Sequence, residues 1–244
     1  MKMKSKILRT MLIGAMFASI PMTTLAKDNK QLDYVALGDS LAAGATPYRE
    51  LDKGYADFLV DRYEQSQYEI TLNNYGVPGY RTTNIVSELL NPTNSKYGPL
   101  RESIKNAELI TIDIGANDLL ANLKTIQQNP STAPAVLNTI AQNLYLILSE
   151  IEKINPRIKV YVMGYYNPFP HLPKQEQAFL LPLLDALNHT IEKVASANGE
   201  EFVPTAKVIK KYETAYVPNP NDIHLSIEGY QAVAKEFWKA IQEE

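Results

Sequence analysis

One hydroxyl, one imidazole and two neutral hydrogen-bond donors stand at positions in this sequence where they could act together. Gly38-Asp39-Ser40-Leu41 follows directly on the apolar run Tyr34 to Leu37, and Ala42, Ala43 and Gly44 continue it with small residues. That composition presents the Ser40 hydroxyl on a tight turn at a strand end. A serine is a weak nucleophile until a base takes its proton and nearby N–H groups stabilise the oxyanion that forms on the attacked carbon. Three histidines are available as that base. His171 follows a Pro-rich loop and His189 sits in a periodic helical stretch, whereas His224 lies in Asn221-Asp222-Ile223-His224-Leu225-Ser226, just before the last helical segment. A short loop at a helix start holds an imidazole rigidly, which makes His224 the natural base. Two donors complete the set. Gly79, in Val77-Pro78-Gly79-Tyr80, can bring its backbone N–H to a ligand with no side chain in the way, and Asn117, in Gly115-Ala116-Asn117-Asp118, offers a side-chain amide.

Each residue also has an ordinary use. Gly-Asp-Ser suits a turn with a helix-capping serine, Pro-Gly a plain turn, Asn117 a helix cap, and a lone histidine is mostly a bystander. The elements that position them therefore decide. Tyr34 to Leu37, Ile70 to Tyr75, Leu109 to Ile114, Val160 to Met163 and Glu201 to Val203 are short, apolar runs that read as strands. Residues 54–65, 83–90, 136–154 and 181–195 carry apolar groups at helical spacing. The segment 226–242 opens on Ser226 and turns Tyr230, Val233, Ala234, Phe237 and Ile241 inward. This alternation predicts parallel strands with right-handed crossovers and helices on both faces, a three-layer α/β/α sandwich. Ligands in such a sheet bind beyond the carboxyl ends of the strands, where loops begin at Gly38, Gly76, Gly115 and Gly164. Residues 91–101 and 127–135 are read as surface loops bordering that rim.

In order and strand placement these four blocks resemble the SGNH, or GDSL-type, hydrolases. The similarity runs from Tyr34 to Ala240 and includes a literal Gly-Asp-Ser-Leu, the glycine of Asn-Tyr-Gly-Val-Pro-Gly, Gly-Ala-Asn-Asp, and Asp-Ile-His followed by Glu228-Gly229-Tyr230. The resemblance implies a flavodoxin-like SGNH hydrolase fold of the α/β class, with a central parallel sheet of about five strands. It further implies a serine esterase with Ser40 as nucleophile and His224 as general base. The oxyanion hole would come from the Ser40 and Gly79 N–H groups and the Asn117 amide, with no metal or organic cofactor. One position departs from the family pattern. The acidic triad member usually stands three residues before the histidine, where this chain has Asn221, with Asp222 one step nearer. Asp222 is the favoured partner of His224, and Asn221 or a backbone carbonyl are the alternatives.

Residues 1–26 read as an export signal: Lys2, Lys4, Lys6 and Arg9 precede the apolar run Met11 to Ile20, and Thr24-Leu25-Ala26 offers a small-residue cleavage site. Residues 27–244 then form the SGNH hydrolase domain, expected outside the cell or in its envelope, with a retained N-terminal anchor as the alternative. The apolar run is shorter than the roughly 20 residues a bilayer requires, so no stable membrane insertion is expected after cleavage. The formal net charge of −3 becomes more negative once those four basic residues are set aside, which disfavours nucleic acid and anionic membranes as partners. Without cysteine, disulfides, thiolate metal sites, a cysteine nucleophile and a lipid-modified cysteine are all excluded.

The expected partner is a small-molecule or lipid ester, or an acylated glycan, and the sequence carries no signal for an oligomeric state. Tyr165 to Pro170, with Phe179 to Leu184 beyond, supplies either one wall of an acyl cleft or cover for the core. The first expectation is an esterase of the lipase or lysophospholipase type or one for short acyl groups. A polysaccharide O-acetylesterase and a non-catalytic surface binding module of the same fold are the alternatives. Neither GxGxxG nor GxxxxGK is present, against a nucleotide binder, and Ser40 is not set in GxSxG, against an α/β-hydrolase.

Overall fold

The structure is a computed structural model that describes residues 30–91 and 98–243. The export signal read from residues 1–26, and residues 92–97 of the first expected loop, lie outside the described residues. Strands β1 (Lys30–Gly38), β2 (Tyr68–Gly76), β3 (Leu109–Asp113), β4 (Lys159–Met163) and β5 (Glu201–Val203) form one sheet in the order β2-β1-β3-β4-β5. Every neighbouring pair is parallel. All five residues of β3 and the last five of β1 are buried, as strands covered on both faces require. The edge strand β2 is only half-buried along its length.

Nine helices of four residues or more connect and cover the described strands: α1 (Tyr55–Gln65), α2 (Thr82–Leu90), α3 (Gly98–Asn106), α4 (Ala116–Gln128), α5 (Ala133–Ile154), α6 (Lys174–Ala197), α7 (Ala206–Lys210), α8 (Glu213–Tyr216) and α9 (Ile227–Gln242). α1 packs on α9 in one layer, while α5 packs against α2, α3, α4 and α6 in the other. The α9 start is set as its sequence predicts, with Ser226 Oγ accepting the Gly229 N–H at 3.3 Å. Tyr230, Val233, Ala234 and Phe237 then form a buried stripe, and the Phe237 ring stacks on Tyr55 with centroids 4.8 Å apart.

Two expected loops are partly helical. α3 already begins at Gly98, and the 127–135 segment holds the end of α4, a single 3₁₀ turn at Pro130–Thr132 and the start of α5. Pro134 is accepted there because an N–H in the first turn of a helix has no intrahelical partner to lose. α6 likewise starts at Lys174, earlier than its apolar periodicity indicates, and runs through Pro182.

The strand order reverses between β1 and β3, so the connections leaving their carboxyl ends diverge and open a crevice at that point. Ser40 follows β1 and Asn117 follows β3. The topology alone thus sets these two distant residues at the same end of the sheet.

Candidate active site

Ser40 lies in the turn after β1, outside any helix, and is 8% exposed. The turn is closed by Ala43 N–H to Asp39 O at 3.2 Å and Ala45 N–H to Ser40 O at 2.9 Å. Among the described residues the Ser40 N–H itself has no acceptor, which leaves it available to a ligand. Beneath the turn lie two buried carboxyl groups. Asp39 accepts from the Leu41 N–H at 3.0 Å and the Tyr165 hydroxyl at 2.9 Å. Asp113 accepts from the N–H groups of Asp39 at 3.2 Å and Ala42 at 3.3 Å, and from the Tyr55 hydroxyl at 2.6 Å. Burial raises both carboxyl pKa values, and the like charge of Asp39 helps push Asp113 well above the usual range. Of the two, Asp113 is pushed further, because burial and the like charge of Asp39 act on it together. Gly38 makes this possible: a Cβ there would stand 2.5 Å from Asp113 Oδ1.

Gly79 and Asn117 are joined by the chain between them. Val77-Pro78-Gly79-Tyr80 is a type II turn, with Tyr80 N–H donating to Val77 O at 3.0 Å and Gly79 at φ +82°. A Cβ on Gly79 would meet nothing within 4 Å, so the backbone angle alone calls for glycine. Asn117 is the second residue of α4, whose N-cap is Gly115, and therefore does not cap the helix. Its Nδ2 donates to Tyr80 O at 2.9 Å. That bond fixes the amide orientation, since the side-chain oxygen would repel the carbonyl, and it leaves the second N–H unused. Asp118 makes a second tie, accepting from Thr82 N–H at 2.9 Å and Thr82 Oγ1 at 2.7 Å. Gly-Ala-Asn-Asp thus clamps the Gly79 loop from β3, although Gly79 itself does not line the cleft that Ser40 and Asn117 share.

His224 belongs to a loop that starts far away, beyond β5, and is carried back to the Ser40 turn by long-range bonds. Asn219 Nδ2 donates to Pro47 O at 2.6 Å, the Tyr230 hydroxyl to Ala45 O at 2.6 Å, and the Tyr166 hydroxyl to Ile223 O at 2.9 Å. Asp222 Oδ1 lies 2.6 Å from His224 Nδ1 and accepts the His224 backbone N–H at 2.9 Å. One carboxylate oxygen therefore orients both ring and backbone, leaving Nε2 for the cleft. Asn221 is exposed, its backbone N–H donates to Asn219 Oδ1 at 3.0 Å, and among the described residues no hydrogen bond joins its side chain to the imidazole. Ser40 Oγ and His224 face the same cleft without a mutual hydrogen bond; Oγ instead makes a long 3.5 Å contact to Asp39 Oδ1. His171 is engaged with Val217 O at 2.7 Å, and His189 is exposed beside Glu192.

The cleft and its open mouth together hold about 740 Å³ of space not filled by atoms, bulk solvent at the mouth included. Beyond Ser40, Asn117 and His224 its walls are mainly apolar. Tyr166 and Phe169, on the loop after β4, form one side, as the sequence allows. α4 adds Leu119, Leu120 and Leu123, a contribution that sequence reasoning missed together with that helix. The signal was present in the spacing of Leu119, Leu120, Leu123 and Ile126.

A parallel sheet in the order 2-1-3-4-5, with Ser, Gly, Asn and His blocks at its carboxyl edge, defines the class of SGNH hydrolases. The chain belongs to the GDSL-like lipase/acylhydrolase family, whose sequence pattern matches residues 36–232. It is accordingly a carboxylic ester hydrolase. It is 26% identical over 214 residues to the spore germination lipase LipC of Bacillus licheniformis, covering 84% of this chain and 94% of that one. Among solved structures it resembles the lipase Lip_vut3 from a goat rumen metagenome, with a TM-score of 0.72, 25% identity and coverage of 87% and 97%. A catalytic mutant of Axe2, an acetylxylan esterase from Geobacillus stearothermophilus, aligns with a TM-score of 0.64 over 88% and 96% of the chains. At 16% identity that likeness is one of fold.

Proposed function

We propose that this ester hydrolase works through a covalent acyl-enzyme on Ser40 and acts on esters whose acyl part is apolar. The observation that carries the reading is that Ser40 and His224 open onto one leucine-lined cleft while Asp222 grips His224 Nδ1 at 2.6 Å. Ser40 Oγ rotates off Asp39 and attacks the ester carbonyl carbon as its proton passes to His224 Nε2. Catalytic hydrogen bonds are often long or unmade without substrate, so the open Ser40–His224 geometry is compatible with this step. The oxyanion accepts from the Ser40 N–H and the free N–H of Asn117, and the Gly79 turn, outside the cleft lining, serves by orienting that amide through Tyr80 O. Collapse breaks the ester C–O bond, and His224 returns its proton to the departing alcohol. Water then attacks the acyl carbon as its proton passes to His224, the bond from that carbon to Ser40 Oγ breaks, and His224 returns the proton to Oγ as the carboxylic acid leaves. Asp222 keeps the ring in the right tautomer and stabilises the imidazolium.

The apolar walls favour the lipase-like reading, in line with LipC and Lip_vut3, over deacetylation of a polysaccharide. The signal-like residues 1–26 support export, so the enzyme would work on esters outside the cell or in its envelope. A fluorophosphonate probe followed by peptide mapping tests the mechanism. The expected label is on Ser40, and Ser40→Ala abolishes turnover of a nitrophenyl ester with the fold intact. A label on another residue, or wild-type turnover by Ser40→Ala, overturns the assignment.

A further inference from the structure

We infer that the gap between α4 and α6 is the acyl channel and that its length selects medium-chain acyl groups of about six to ten carbons; this rests on the Ser40 acyl-enzyme reading. α4 and α6 each lean on α5 rather than on one another. Their facing leucines therefore border an opening where a closed helix pair would have a packed seam. The buried residues of α6 are Leu187, Ile191 and Ala195, all in its second half. Asn188 bonds both backbone groups of Tyr165, just after β4, which sets the middle of α6 at the carboxyl edge of the sheet, and in its first half Leu180 and Leu184 are only half-buried and line the cleft. Leucines held half-exposed in this way gain most from an apolar ligand that covers them.

The depth of the channel follows from the helix. Leu187 lies 3.7 Å from where a Cβ on Gly115, just after β3, would be, and Leu180 is the cleft-lining residue nearest the start of α6. The seven helical steps between them span roughly 10 Å. With carbon–carbon bonds of about 1.5 Å and near-tetrahedral angles, an extended chain of about eight carbons fills that length. Leu123, one turn beyond Leu119 on α4, faces the same outer stretch. The two ends of the ester are separable by position. The leucines stand on the helices after β3 and β4, whereas the His224 loop closes the other side of the same cleft, tied to Ala45 and Pro47 beside β1 and to Tyr166 just after β4. The departing alcohol must take its proton at His224, so the alkyl chain along α4 and α6 belongs to the acid.

Two ester series test this on the full chain: nitrophenyl esters from acetate to palmitate, and acetate esters of alcohols of the same lengths. The expected kcat/KM in the acyl series peaks between six and ten carbons and falls on either side, with no comparable peak in the alcohol series. Leu123→Trp and Leu180→Trp, each checked for folding by circular dichroism, should lower the octanoate-to-acetate ratio of kcat/KM by about tenfold or more by filling the outer channel. A monotonic decline from acetate, a flat profile, or a peak in the alcohol series overturns the inference while Ser40 still takes the probe. Failure of Ser40 to take the probe strikes instead at the acyl-enzyme mechanism. Because the wild-type profile is decisive alone, a variant that fails to fold leaves the inference open to refutation.

Discussion

Replacing Asp113 with Asn should remove a pH-dependent loss of stability that the wild-type protein carries under its nucleophile. The Asp113 carboxyl is fully buried and accepts two backbone N–H groups and the Tyr55 hydroxyl. Burial, and secondarily the charge of Asp39, hold its folded pKa well above the ordinary 3.8. The folded state therefore binds more protons than the unfolded state between those two values. The stability associated with this group is complete below the unfolded pKa and is lost as pH rises through the folded one. For one proton the loss is about 1.4 kcal/mol per pH unit inside that window. Asn has nearly the same shape and never ionises. Its oxygen can accept from Asp39 and Ala42, its amide can donate to the Asp39 carboxylate, and Tyr55 can turn its proton to Thr111 Oγ1, 3.4 Å away.

Urea denaturation of both proteins between about pH 4 and 8 should show Asp113→Asn gaining on wild type by ~1.4 kcal/mol per unit before levelling off. Asp113→Ala is the contrasting case. It leaves the buried Ala42 N–H without an acceptor, while the Asp39 N–H keeps Asp113 O at 3.1 Å and Tyr55 can turn to Thr111 Oγ1. It should be destabilised by about 1–3 kcal/mol at about pH 4, a deficit that shrinks as pH rises because it too lacks the titrating carboxyl. A stability difference between Asp113→Asn and wild type that does not change with pH would refute a raised Asp113 pKa.

Asp222→Ala should lower kcat by about 10³–10⁴ with KM little changed, whereas Asn221→Ala should stay within about twofold of wild type; steady-state kinetics in the reverse order would reassign the orienting group. Asn117→Ala should cost about 10²–10³ in kcat, and the same kinetics would show a KM effect alone if the amide only binds substrate. Gly79→Ala puts a side chain at φ +82° with no clash. It should destabilise the protein by about 1 kcal/mol, lowering Tm by roughly 2–4 °C in a thermal scan.

How much was legible in the sequence depended on whether the signal was local. The five strands could be read because β1 and β3, buried on both faces, must be continuously apolar, and α9 because Ser226 and its apolar stripe lie within one helical segment. α4 was not found, because its first turn is spent on Asn117 and Asp118 and its leucines face a cleft, which blurs the usual core-facing stripe. Asp113 read as the end of a strand, since its partner Tyr55 is 58 positions away. The choice between Asn221 and Asp222 rested on which side chain the Asn219 turn points at the ring, a matter of backbone geometry that spacing does not encode.

The bonds that bring the His224 loop to the nucleophile link residues 172 and 185 positions apart. Ser40 leaves the ribosome early, but its proposed base stays out of reach until almost the whole polypeptide has been made and α9 has docked. On the proposed mechanism a nascent or truncated chain would carry the alcohol without its activator and be inert. Hydrolytic competence would then be the last property this protein acquires, and a cut anywhere between Pro47 and Asn219 that let the halves drift apart would silence it without touching Ser40 or His224.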